Sequence, residues 1–176
     1  MVIVLNSDNK GEVKLSNRRL HVGRFSISDH KTVLNISGSV ELGPNFIDSL
    51  FFLALDSIHN EDSITIKLNS IEMRALSLGC RQVALSANRD HTHFKESGGR
   101  GKKSQLKVYS NDKYEYIGIV KGKTSLQVSF KVLELLALSQ EISNFIEVVS
   151  RATYKTQQFV EKKKIKKKKN DKNNKR

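Results

Sequence analysis

Two neighbouring apolar runs carry aromatic and basic side chains at alternate positions. In Gln105–Ser110, Lys107 and Tyr109 alternate with Leu106 and Val108. In Tyr114–Lys121, Tyr114 and Tyr116 share a parity with Gly118, while Ile117, Ile119 and Lys121 take the other. Period-two alternation puts rings and cation on one face of a strand and the aliphatic residues on the opposite face. Flat π surfaces beside positive charge suit stacking of unpaired bases and tracking of phosphates. Strand tyrosines also serve as half-buried cross-strand partners, so both roles are open at this point.

A second group is purely basic. Glu96–Ser104 holds Gly98, Gly99 and Gly101 together with Arg100, Lys102 and Lys103. Glycines let a backbone approach phosphate closely, and three cations stand beside them. The segment lacks the Gly-Lys-Ser/Thr ending of a nucleotide-binding P-loop, which removes that reading. It is expected to be a flexible basic loop, or a plain hairpin connection. Arg24, Lys31, Lys67, Lys95, Lys121 and Lys123 add charge along other strands and turns.

The strongest charge lies at the C-terminus. Lys162–Arg176 has ten basic residues and one acidic, a net +9 of the chain's +13. The other 161 residues carry only +4, so overall basicity belongs mostly to this segment. Lys162, Lys163, Lys164, Lys166, Lys167, Lys168 and Lys169 surround a single apolar residue, Ile165. Such a segment buries too little to offset its ordering entropy, and a disordered lysine-rich tail is expected over 161–176, following a folded domain over 1–160. Its charge favours polyanions; it also fits a solubilising tail or a localisation signal.

Other chemistries find little support. Around His91, His93 and Cys80, no second Cys or carboxylate completes a ligand spacing, so neither metal nor cofactor is expected. No nucleophile elbow, paired carboxylates or Ser/His/Asp pattern argues for an enzyme. A single cysteine cannot form an intrachain disulfide. No apolar run approaches the roughly 18 residues of a membrane-spanning helix. Met1–Leu5 is apolar but too short for a signal-peptide core, and Asp8 and Glu12 interrupt any transit-peptide pattern.

These residues need strands to position them. With one proline in 176 residues and many Val, Ile, Ser and Thr, the chain suits β-structure. Strands are expected at Gly23–Ser28, Thr32–Val40 and Ser63–Leu68, while periodicity leaves Asn45–Ile58 open between a buried helix and a strand centred on Ser49–Leu55. Asn69 or Ser70 then caps a helix over Ile71–Leu78, with Glu72 in its first turn and Gly79 as its stop. The second half repeats this order. Strands are expected at Gln82–Ala87, His91–Lys95, Gln105–Ser110, Tyr114–Lys121 and Thr124–Ser129. A long helix follows, Phe130 to Gln158, with an apolar stripe of Leu133, Leu136, Ala137, Ile142, Phe145, Ile146 and Val149. Ser139 and Gln140 interrupt that stripe, and the helix is expected to fray beyond Thr153. The fold class is α+β: two ββββα units with a long C-terminal helix and a basic tail.

Three stretches resemble the Whirly family of single-stranded DNA-binding proteins of plant organelles, whose fold trypanosome mitochondrial guide-RNA-binding proteins share. They are IKLNSIEMRALSLG (Ile66–Gly79), the strand, Gly-rich loop and strand from Val83 to Val108, and LQVSFKVLELLALSQEISNFI (Leu126–Ile146). The family's Lys-Gly-Lys-Ala-Ala-Leu signature is matched only at Lys31 and Leu34, in Asp29–Leu34. The resemblance implies the Whirly-like fold, binding of single-stranded DNA or RNA, a homo-oligomer (a tetramer in the family) and a mitochondrion or other DNA-containing organelle. It also favours the strand reading of Ser49–Leu55. The alternatives are a structural RNA-binding component of a ribosomal or other ribonucleoprotein particle, and a protein-interaction domain whose last helix forms an oligomer seam.

Overall fold

The computed structural model describes residues 18–43, 46–86, 91–99 and 102–173, with side chains over 19–43, 46–86 and 104–166. Each half of the chain is a four-stranded antiparallel meander followed by a helix. The first sheet is β1 (Arg18–Ser28), β2 (Thr32–Leu42), β3 (Ile47–Ser57) and β4 (Ser63–Asn69), and it leads into α1 (Ser70–Leu85). The second is β5 (His91–Gly99), β6 (Lys102–Ser110), β7 (Glu115–Lys121) and β8 (Thr124–Phe130), and it leads into α2 (Val132–Asn173). In both sheets the spatial order of strands is their order in the chain. The doubled ββββα order is therefore present.

Alternation decides which face turns inward. Along β4, Ile64, Ile66 and Leu68 are buried and Ser63, Thr65, Lys67 and Asn69 are exposed. Leu34 and Ile36 of β2 lie opposite Leu55 and Leu53 of β3, and all four are fully buried. In the second sheet Leu106, Val108, Ile117, Ile119 and Val128 do the same. Strand β8 touches β2, β3 and β4, so the inner faces of the two sheets share one core with both helices. Each fully buried Leu or Ile contributes on the order of 2 kcal/mol of transfer free energy.

The first helix departs from expectation. Asn69 is its N-cap: the side chain accepts from Glu72 N at 2.9 Å, and Glu72 returns by accepting from Asn69 N at 2.8 Å. Gly79 does not stop it, and Gln82–Leu85 is helix rather than strand. Met73, Leu76, Cys80 and Val83 recur at helical spacing on the buried face, and this outweighs the two-residue alternation of Val83 and Leu85. Ala87 lies outside the described residues.

In the second helix the buried line is Leu135, Leu138, Ile142, Ile146 and Val149, while Leu133 is 76% exposed. Val132–Leu136 is apolar at four of five positions, so sequence alone leaves the phase of its first turn undefined. Ser139 does not break the helix. Its hydroxyl donates to Ser77 O (2.9 Å), and the Ser77 hydroxyl donates to Ser139 O (2.8 Å), a reciprocal clasp between α1 and α2. Phe145 meets Phe25 and Phe51 edge-on at 5.4 and 6.1 Å. Gly38 of β2 lets this helix approach: a Cβ there would lie 2.4 Å from Val149 Cγ2 and 3.0 Å from Phe145 Cζ.

The helix also continues past Thr153 to Asn173, through most of the lysine run expected to be disordered. Lysine is a good helix former, and the chain has neither Gly nor Pro after Gly122. Further docking anchors the stretch before it. Ser49 and Thr153 hydroxyls lie 2.8 Å apart, and Gln157 Nε2 donates to Ile47 O at 3.0 Å. No helix among the described residues is long and apolar enough to cross a membrane.

Candidate nucleic-acid interface

The outward face of the second sheet is built by register. Lys107 of β6 lies opposite Gly118 of β7, which lies opposite Gln127 of β8. One pair along, Tyr109 lies opposite Tyr116, and Tyr116 opposite Ser129. Their neighbours Leu106, Val108, Ile117 and Val128 point into the core. Lys107, Tyr109 and Tyr116 therefore share one face, as their alternation predicts.

The two tyrosine rings stack, with centroids 5.2 Å apart and planes 17° from parallel. Their hydroxyls are held as well. Tyr109 donates to Gln127 Oε1, and the Tyr116 oxygen accepts from Asn111 Nδ2 at 3.0 Å. The Tyr109 ring leans over Gly118 of β7, where a Cβ would meet Tyr109 Cε1 at 3.4 Å, an ordinary contact. Burial, with a smaller contribution from Tyr116, raises the Tyr109 phenol's pKa, so it remains a neutral donor. The result is a preordered pair of half-exposed rings beside one ammonium, which fits flat, unpaired bases.

Tyr114 borders this face at the start of β7. It precedes β7, and its backbone N–H donates to Asn111 Oδ1 within the β6–β7 turn. With Tyr116 and Gln127 of that face, and with Lys31 and Lys131, it lines a groove of about 780 Å³. The β1–β2 turn forms the groove's other wall and is fixed by Asp29. Asp29 Oδ1 accepts from Lys31 N and Thr32 N, both at 2.7 Å. Its Oδ2 accepts from Ser129 N (2.8 Å) and Ser129 Oγ (2.7 Å) on β8. Burial pulls this carboxyl upward, but the hydrogen bonds together outweigh it, and the net pKa is lowered. Asp29 thus joins the first sheet to β8 of the second.

The remaining basic residues separate. Arg24 and Lys67 lie in one row across the outer face of the first sheet, through Ser37 and Phe52. There Lys67 Nζ reaches Glu41 Oε2 at 3.3 Å, and Arg19, 3.6 Å from the same carboxylate, covers Phe52 at 5.2 Å. Glu41 offsets part of that positive charge. Lys121 and Lys123 flank Gly122 in the β7–β8 turn, where φ is +63°. Lys95, Lys102 and Lys103 belong to β5 and β6, whose pairing extends to Gly99–Lys102. Most of Glu96–Ser104 is therefore a strand hairpin rather than a flexible loop, because ladder bonds compete successfully with loop entropy. Arg100 lies outside the described residues.

Sequence reasoning missed Gln127, Asn111 and Asp29. None carries a motif; each acquires its role from a partner on another segment. Cys80 is fully buried in α1, and burial pushes its thiol up to about 12, which leaves it an inert core side chain.

No protein-family model matches the chain, and no curated protein matches it. Solved structures do. The fold is similar to WHY1 from Arabidopsis thaliana, with a TM-score of 0.53 and 14% identity over 75% of this chain and 92% of that one. It is equally similar to the plant transcriptional regulator PBF-2: TM-score 0.53, 12% identity, 80% of this chain and 88% of that one. At these identities the likeness establishes a Whirly-like fold.

Proposed function

We propose that this protein binds single-stranded nucleic acid, without catalysis, on the outer face of its second sheet. The stacked Tyr109–Tyr116 pair beside Lys107 is the observation that carries this reading. Two rings already ordered by Gln127 and Asn111 need little further entropy loss when bases stack on them. Lys95, Lys102 and Lys103, from β5 and β6, together with Arg100, Lys121, Lys123, Lys31 and Tyr114, supply further contacts. The lysines from Lys162 onward add phosphate contacts. The Whirly-like fold supports the reading, since the sequence strings resemble that single-strand-binding family. Lys67 contributes least, being paired with Glu41 on the first sheet, and Arg24 lies on that same outer face.

A homo-oligomer is part of the proposal. Ile71, Leu78 and Leu85 repeat every seven residues along α1 and are 79, 66 and 63% exposed. An apolar line of that kind suits burial against another copy. Light scattering on the purified chain tests it, with a monomer as the contradicting result.

Binding itself is tested with poly(dT) and poly(U) across a salt titration. Measurable affinity at low salt is expected, falling steeply as salt rises. Deleting Lys162–Arg176 is expected to weaken binding without abolishing it. Undetectable binding by the intact chain at low salt contradicts the proposal, and complete loss on deletion would assign binding to the lysines alone.

A further inference from the structure

The lysine run is a helix, and that changes what it can hold. The last hydrogen bond from α2 to the first sheet, among the described residues, is Gln157 Nε2 to Ile47 O. Beyond it α2 continues to Asn173, roughly 24 Å at 1.5 Å per residue. This arm carries eight lysines against Glu161 and Asp171. Lys162, Lys163, Lys164 and Lys166 are all exposed. At 100° per residue they point to widely different sides of the helix, so the charge encircles the arm instead of forming one stripe.

A single strand passes along one side of a helix and meets only part of such a ring of charge. A duplex groove presents a phosphate row on each side. The major groove of B-form DNA is about 12 Å wide, and an α-helix with side chains is about 10–12 Å across. The major groove of A-form RNA is too deep and narrow to admit one. Apart from Phe159, whose ring lies 4.7 Å below Lys163 Nζ, the arm has no aromatic group for stacking on bases. Its chemistry is therefore phosphate contact, not base recognition.

We propose that the C-terminal arm of α2 lies in the major groove of duplex DNA adjoining the single strand held by the second sheet. The protein then prefers junctions between single- and double-stranded DNA. This rests on the single-strand reading above for the second half of the site. The two parts are fixed relative to each other by α2. Its first turns flank Tyr116 and Ser129 in the groove, and the arm begins about 25 residues later, roughly 38 Å away. That span is roughly eleven phosphate steps at duplex spacing.

The test compares three labelled DNAs by fluorescence anisotropy at fixed salt: dT20, a 20-base-pair duplex, and that duplex carrying a dT20 overhang. The full chain is expected to bind the overhang duplex at least about tenfold more tightly than either part. Replacing Lys162, Lys163, Lys164 and Lys166 with Gln is expected to bring that ratio close to one. Ile165→Pro keeps every lysine but interrupts the helix. It is expected to lose most of the junction preference while dT20 binding stays salt-dependent. Retention of the preference by Ile165→Pro overturns the proposal, because a flexible lysine tail would then suffice. So does an overhang duplex bound no more tightly than dT20. If dT20 is not bound while the duplex is bound through the same lysines, the arm's grip stands and the single-strand reading fails.

Discussion

The Tyr109 ring is held by two neighbours: Tyr116 stacks on it and Gln127 accepts its hydroxyl. Base stacking on an aromatic side chain contributes about 1–3 kcal/mol. Tyr109→Ala is accordingly expected to weaken oligo(dT) binding by roughly 5- to 150-fold, read by anisotropy titration. Tyr109→Phe retains the stacking surface and is expected to stay within about threefold. Asp29 acts structurally. Its carboxylate faces four donors, whereas an Asn in its place would turn an N–H toward some of them. Asp29→Asn is expected to cost about 1–2 kcal/mol, a fall of roughly 3–6 °C in Tm by calorimetry. Because its folded pKa is lowered, Asp29's contribution is complete above the unfolded value of about 3.9 and fades as pH falls through the folded one. The gap between wild type and Asp29→Asn is therefore expected to stay constant from pH 7 to about pH 5 and to close at lower pH. The Lys107/Tyr109 face was legible in the sequence because it is a local, two-residue alternation. Asp29 was not, since its partner Ser129 is 100 residues away.

Among the elements, strands were read more readily than helix limits. A strand shows its buried face in five or six residues, as β4 does. The end of α1 is not legible locally because glycine commonly ends a helix, whereas Gly79 is buried within this one and Val83 continues its inner face. The long helix was expected, but the phase of its first turn was obscured by a continuous apolar run. Its reach was obscured because the usual entropy argument for lysine-rich segments ignores a preceding helix that already provides the nucleus. The docking of α2 depends on Gly38. Gly38→Ala is expected to cost about 1–3 kcal/mol through overpacking against Val149 and Phe145. Adding Val149→Ala is expected to give a combined loss smaller than the sum of the two, measured as a double-mutant cycle in denaturant. Additive losses would mean that the helix does not rest on β2 there.

For the whole molecule, charge and fold separate. The lysines from 162 onward supply most of the net charge, and the sheet face supplies the rings. On single strands, each phosphate contact contributes about 0.7 to the slope of log affinity against log salt. Removing Lys162–Arg176 is expected to lower that slope by two or more and leave the Tyr109 dependence intact. If the slope is unchanged, the lysines do not touch the strand. The sheet face, and not the lysine arm, is the surface proposed to meet the bases. Photo-crosslinking of the full chain to an oligonucleotide carrying a photoreactive thymidine analogue, with the crosslinked peptides identified by mass spectrometry, tests this directly. Crosslinks are expected in the β6 and β7 peptides, centred on Tyr109 and Tyr116. Crosslinks confined to the lysine-rich end of α2, or to the outer face of the first sheet, would contradict it.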